Sequence, residues 1–236
     1  MKLKSVAGFT IIETMLFLGI SGALAMIIIV GTSTSINTQR YRDSVSSLRA
    51  FFQQQYSDVA NVNNGTTGNS CPGDSASGRG QSNCVILGRF IVSKDSGSIT
   101  SKTITGKDPG SSPTDDLDAF EKYGIQVSAS IPENTYTIEW GSTMKQENTT
   151  SDSRFSILIL RSPLTGVIRT FIDGNSVISD SHITDLLVNS AMQTNASVMC
   201  VDSNGMTNGH KMAVKVGPGA TSASSVEILG DDSPCL

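Results

Sequence analysis

Charge, histidine and catalytic signatures are all scarce in this sequence. Only 16% of its 236 residues are charged, and only His182 and His210 could serve as imidazole bases. No GxSxG elbow, P-loop, GxGxxG fingerprint or HExxH pair occurs, so hydrolase, nucleotide-dependent and zinc-protease chemistries have no motif to stand on. His182 lies among Asp180, Ser181 and Asp185 in one short polar segment, which reads as a surface turn or helix start rather than a triad. A basic excess is missing too: the formal net charge is −4, whereas general nucleic-acid binding leaves a basic footprint on the domain. Asp173, Asn175 and Asp180 offer oxygen ligands, but Ile178 and Thr184 stand where an EF-hand needs Gly and Glu. No cofactor and no metal is expected. The four cysteines, Cys71, Cys84, Cys200 and Cys235, include no CxxC pair and no histidine at ligand spacing, which favours disulfides over zinc. Three connectivities are open; local closure would give Cys71–Cys84 and Cys200–Cys235, each worth about 2–4 kcal/mol. There is no internal repeat.

What the sequence does have is concentrated near its start. From Thr14 to Gln39 no residue is formally charged, and Phe9 to Val30 supplies 22 mostly apolar residues, enough to cross a bilayer as one helix. The exception is Glu13. A carboxylate costs on the order of 2.5–3.5 kcal/mol at the centre of a membrane helix and less near an end, so it tends to mark function. The preceding residues, Met1 to Gly8, carry Lys2 and Lys4 and no acid, a charge pattern that favours the cytoplasmic side. Ala23-Leu24-Ala25 looks like a signal-peptidase site, yet Ile27 to Val30 continue the apolar run beyond it.

Gly8-Phe9-Thr10-Ile11-Ile12-Glu13, after a short basic leader and before an apolar helix, resembles the type III signal of type IV prepilins and pseudopilins. The resemblance implies cleavage between Gly8 and Phe9 by a prepilin peptidase, N-methylation of Phe9, and filament assembly through Phe9 and Glu13 with other pilin subunits and the pilus assembly machinery. It also implies a single-pass membrane protein with an extracytoplasmic head, later part of an extracellular pilus. With Lys2 and Lys4 removed, 15 basic residues face 21 acidic ones, a net of −6. The helix-breaking proline common in major pilin stems is absent, with Val30 near its place, which favours a minor pilin or a type II secretion pseudopilin.

Beyond the apolar run, Val45, Leu48, Phe52, Val59 and Val62 recur at near-helical spacing. They predict an amphipathic continuation, so residues 9–62 form a stem whose first part, 9–31, is the transmembrane segment and filament core. A break near Gly31 to Ser35 would divide it in two. Residues 63–236 are expected to form the head, beginning with an Asn- and Gly-rich loop over 61–82. Strands are expected at Val85 to Val92, Lys122 to Ala129, Thr135 to Trp140, Phe155 to Leu160, Val167 to Ile172, Ser197 to Asp202, Lys211 to Val216 and Ser225 to Leu229. Ser162 to Gly166 should turn a hairpin, and Ile183 to Gln193 a short helix capped near Ser181. Asp115, Asp116 and Asp118 read as a solvated loop face. The fold class is therefore α+β: a long N-terminal helix packed on an antiparallel sheet. Lys211 and Lys215, on one side of a candidate strand with His210 adjoining, are the candidate contacts to DNA, as some minor pilins make.

Overall fold

The computed structural model describes residues 10–62, 83–188, 194–207, 209–230 and 233–235. Helix α1, Ile11–Ala60, is continuous, so the break considered near Gly31 does not occur. The chain divides into two compact units, residues 1–40 and 41–236.

In the first unit the large apolar side chains of α1 from Ile11 to Ile29 are exposed. In the second unit α1 changes character. Tyr41, Val45, Leu48, Phe52, Tyr56 and Val59 are buried at steps of three or four, the pattern of a helix with one apolar face. Sequence periodicity identified four of these but passed over the two tyrosines, whose hydroxyls explain their burial. Tyr41 Oη donates to Val201 O at 2.7 Å and accepts from Met212 N at 2.8 Å. Tyr56 Oη lies 3.0 Å from Thr170 Oγ1, which itself donates to Ala220 O. Burial pushes the Tyr56 phenol up to about 12, against the lowering effect of the Thr170 contact. The helix ends at Ala60 rather than Val62, with Arg161 Nη1 donating to Ala60 O at 3.1 Å.

That apolar face meets two antiparallel sheets. The first comprises β1 (Cys84–Ser93), β2 (Ser98–Lys107), β3 (Gln126–Val127), β4 (Asn134–Thr137), β6 (Phe155–Arg161) and β7 (Ile168–Asp173), ordered β3-β2-β1-β6-β7 with β4 also on β2. The second runs β10-β9-β8-β5, from β5 (Thr143–Gln146), β8 (Ser197–Asp202), β9 (Met212–Val216) and β10 (Val226–Leu229). Ile91, Ile99, Ile157, Ile159 and Ile172 of the first sheet join Met199, Val201, Val214 and Val216 of the second in one core with α1. A second core uses Phe90, Ile104, Leu158, Leu160 and Phe171 with Phe120, Ile125, Ile183 and Leu186. β6 therefore sits between two cores, which is why Ile157 to Leu160 reads as an unbroken apolar run instead of an alternation.

Several expectations need correction. Lys122 to Ala129 is not a strand: α2 (Asp116–Lys122) occupies its start and β3 only two of its residues. Asp115 caps α2 by accepting from Leu117 N and Asp118 N, Lys122 pairs with Asp118 at 2.9 Å, and Gly124 follows at φ 59°. These are ordinary start and stop signals. Nor are the three aspartates a solvated face, because Asp116 is buried. β4 stops at Thr137, and residues 139–141 form a 3-10 turn. β2 and β5 lie in segments that look like polar loop, β2 through its many Ser and Thr residues and β5 because Met144 is its one apolar residue. The expected helix over 183–193 appears as a 3-10 turn at Asp180–His182 after Ser179, then α3 (Asp185–Val188); residues 189–193 lie outside the described ones. The hairpin at Ser162 to Gly166 joins β6 and β7 as expected, with Ser162 N donating to Val167 O at 2.8 Å.

Candidate functional site

The apolar start of α1 is built for surroundings other than water. Ile11, Ile12, Met15, Leu16, Phe17, Leu18, Ile20, Leu24, Met26, Ile27, Ile28 and Ile29 are between 54% and 77% exposed. Met26 to Ile29 are consecutive, and at 100° per residue they cover the whole helix circumference, so no polar face exists. Two threonines, Thr14 within this stretch and Thr32 just beyond it, turn their hydroxyls inward. Thr14 Oγ1 donates to Ile11 O at 2.9 Å, and Thr32 Oγ1 donates to Ile28 O at 2.9 Å. Such back-bonding satisfies hydroxyls without solvent. Twenty residues at 1.5 Å each span about 30 Å, the hydrocarbon thickness of a bilayer. Burying these twelve side chains in lipid or against neighbouring helices would gain on the order of 20 kcal/mol, at the usual 1.5–3 kcal/mol apiece. α1 is thus one helix long and apolar enough to cross a membrane.

At its start, Glu13 N donates to Thr10 Oγ1 at 3.3 Å, and Thr14 N donates to Thr10 O at 3.2 Å. Thr10 thereby occupies the cap position, and Glu13 stands three residues on, where a capping-box acid stands. The T-x-x-E spacing from Thr10 to Glu13 is the sequence signal of such a cap. Glu13 is exposed, near the positive end of the helix dipole. Gly8 and Phe9 lie outside the described residues.

No family model, curated protein or solved structure matches the chain.

The remaining candidates are dispersed. Cys200 and Cys235 form a disulfide with Cα atoms 5.6 Å apart, tying β8 to residues beyond β10. Cys84 is disulfide-bonded, while Cys71 lies outside the described residues. Met212, Val214 and Val216 face the core, on the side of the strand opposite Lys211 and Lys215. Lys215, on the other face of β9, sits in register with Glu227 of β10, so a carboxylate accompanies that candidate DNA contact. His210 and Lys211 line a cavity of about 180 Å³ beside the disulfide, together with Asp202.

His182 Nδ1 lies 2.8 Å from Ser179 Oγ and 2.9 Å from Ser181 Oγ, all exposed. Asp180 turns instead to Lys102 Nζ at 2.6 Å, so acid and imidazole are not joined. Lys102, which Glu133 also approaches at 3.6 Å, lines the wall of an open cavity of about 700 Å³. Asp173 is occupied by Asn175 N, Ser176 N and Ser176 Oγ. Among the described residues no three His, Cys, Asp or Glu side chains gather as a metal site.

The acid that sequence misjudged is Asp116. Its Oδ1 accepts from Ser162 Oγ at 2.6 Å and Thr165 Oγ1 at 2.9 Å, and its Oδ2 from Arg169 Nε at 2.6 Å. Burial pushes this carboxyl up, but those hydrogen bonds and the guanidinium charge prevail and hold it below the usual carboxylate range. Asp116 thus fastens α2 to the β6–β7 hairpin.

Proposed function

We propose that this chain is a type IV pilin-like subunit: inserted as a prepilin, cut after Gly8, and assembled into an extracellular filament through its N-terminal helix. The observation that carries the reading is the uncovered apolar surface of Ile11 to Ile29 with one carboxylate, Glu13, in its first turn. A cleaved chain beginning at Phe9 would carry its new amine four residues before Glu13. In an apolar helix bundle, a neighbour's amine is then the natural partner for that carboxylate, because opposite charges attract strongly where water is excluded, and a lone charge there is costly. The same chemistry serves a pilus or a type II secretion pseudopilus.

N-terminal sequencing and intact mass of the protein in sheared filaments test the reading. The expected species starts at a methylated Phe9. Retention of Met1 to Gly8, or a start after Ala25, would overturn it. Glu13→Gln separates the two roles of this residue, since glutamine preserves a capping box but carries no charge. Membrane insertion should persist while incorporation into filaments falls; undiminished incorporation would remove charge pairing from the mechanism.

A further inference from the structure

Trp140 is the only tryptophan in the chain, and it is 50% exposed. Its backbone has φ 58° and ψ 23°, a left-handed conformation uncommon for a bulky side chain. The flanking residues impose it. Ile138 is buried and its N–H donates to Gly97 O at 3.0 Å; Ser142 is buried with its Oγ 3.1 Å from Ser44 Oγ on α1. Between these anchors the chain turns through Trp140 and Gly141, the latter at φ 70°. Glu139 is fixed as well, accepting from Ser47 Oγ at 3.1 Å. Asparagine or glycine would satisfy this backbone without strain. A half-exposed indole held there is preorganised, which lowers the entropy lost on docking, and strained positions of this kind collect where function needs them.

Resting on the filament reading above, we infer that Trp140 is a contact anchor that docks onto α1 of a second copy of this chain. The receiving surface is a strip of exposed positions at one-turn spacing, Arg42, Ser46, Ala50 and Gln54. Its two middle side chains are short, leaving a flat bed for an indole, and Arg42 offers a guanidinium to the ring face. Successive residues turn by 100°, so Ser46 points about 200° away from Ser44, the residue tied to the tryptophan loop. Donor and acceptor surfaces are therefore different, and a contact between unlike surfaces repeats as an open array instead of closing as a dimer. Charge also favours a copy over lipid. Glu139 flanks the indole and Asp43 adjoins the strip beside Arg42, so both signs are present; an anionic membrane surface would instead select a basic patch.

The test uses the full chain and its single tryptophan as reporter. On passing from detergent-solubilised subunit to sheared filament, Trp140 emission should shift to shorter wavelength. Its acrylamide quenching constant should fall about twofold or more, because an anchor residue loses its solvent on docking. Trp140→Asn, which suits the left-handed backbone, should melt within about 5 °C of wild type yet lower filament recovery about tenfold, and Ala50→Glu should do the same from the receiving side. Wild-type filaments with unchanged quenching, or normal recovery of both variants, would overturn the inference and leave the filament reading intact. Equal protection of the unassembled protein in vesicles of anionic lipid would assign the indole to the membrane and overturn the copy contact. Absence of wild-type filaments would overturn the filament reading and this inference with it.

Discussion

Asp116 offers the sharpest test of how the head is held together. Asp116→Asn keeps an acceptor for Ser162 and Thr165 only by setting its amide N–H₂ against Arg169 Nε, now 2.6 Å from a carboxylate oxygen. A hydrogen bond to a charged group is worth about 1.5–3 kcal/mol. Arg169 is 42% exposed, so solvent screening favours the lower end, about 1.5–2 kcal/mol. Asp116→Ala also leaves the O–H of Ser162, which is 2% exposed, without its acceptor, although the oxygen still accepts from Leu164 N and Thr165 N, and should cost about 3–4 kcal/mol in all.

Thermal denaturation followed by circular dichroism, at about 2–4 °C per kcal/mol for a domain this size, should place the alanine variant roughly 6–16 °C below wild type. The pH dependence carries the sign. The folded carboxyl is held below its ordinary value, so its stabilisation is complete above the unfolded pKa, about 3.9, and is lost as pH falls through the lower folded one. The gap between wild type and Asp116→Asn should therefore be widest near neutrality and close in acid. Asp95 and Asp118 also sit below their ordinary values, but both are present in each protein and cancel from the difference. Equal stability at pH 7, or a gap that stays constant into strong acid, would refute the account.

Two further substitutions probe the sheets. Gly88→Ala should prevent the head from folding, or cost several kcal/mol, because an added Cβ would run into the Ile159 carbonyl of the paired strand; trypsin resistance and melting temperature would report it. Tyr41→Phe removes a hydroxyl that serves both Val201 O and Met212 N and should lower stability by about 1–3 kcal/mol, and hydrogen exchange at Met212 N–H should accelerate.

The parts of the fold legible in sequence were those with one dominant cause. β8, Ser197–Asp202, follows the segment expected, and Phe155 to Leu160 announced a buried strand by apolar content alone. What escaped depended on polar contacts made at a distance. β2 is Ser- and Thr-rich because its residues serve partners elsewhere: Ser101 Oγ donates to Gln55 Oε1 at 2.6 Å, and Thr103 Oγ1 accepts from Arg89 Nη1 at 2.8 Å. Asp116 looked like surface because its three partners lie 46 to 53 residues downstream. Trp140 completed an alternation with Tyr136 and Ile138, yet Gly141 beside it was the local sign that the strand would not continue. At the candidate site, the apolar run and Glu13 were plain in sequence, whereas Thr10 required the T-x-x-E spacing to be read as a cap.

The pattern of exposure along α1 ties these observations to function. Over Ile11 to Ile29 the side chains are apolar in every direction, and over Tyr41 to Val59 they are apolar on one face only. A helix face is selected by what it must touch, so the first stretch demands an apolar medium on all sides and the second a folded partner on one. Between them, Gly31 to Gln39 is uncharged but polar, and Thr38 Oγ1 still returns its hydrogen bond to the helix at Thr34 O. Such a sequence tolerates the edge of a membrane without anchoring there through charge. It could leave lipid for a bundle of like helices at little cost, since apolar neighbours replace apolar chains almost evenly. Packing alone would then give such an exchange little direction. If the chain assembles as proposed, a carboxylate that lipid leaves alone and a neighbouring amine neutralises would supply the missing bias, and Glu13 is the only ionisable group in the described apolar stretch.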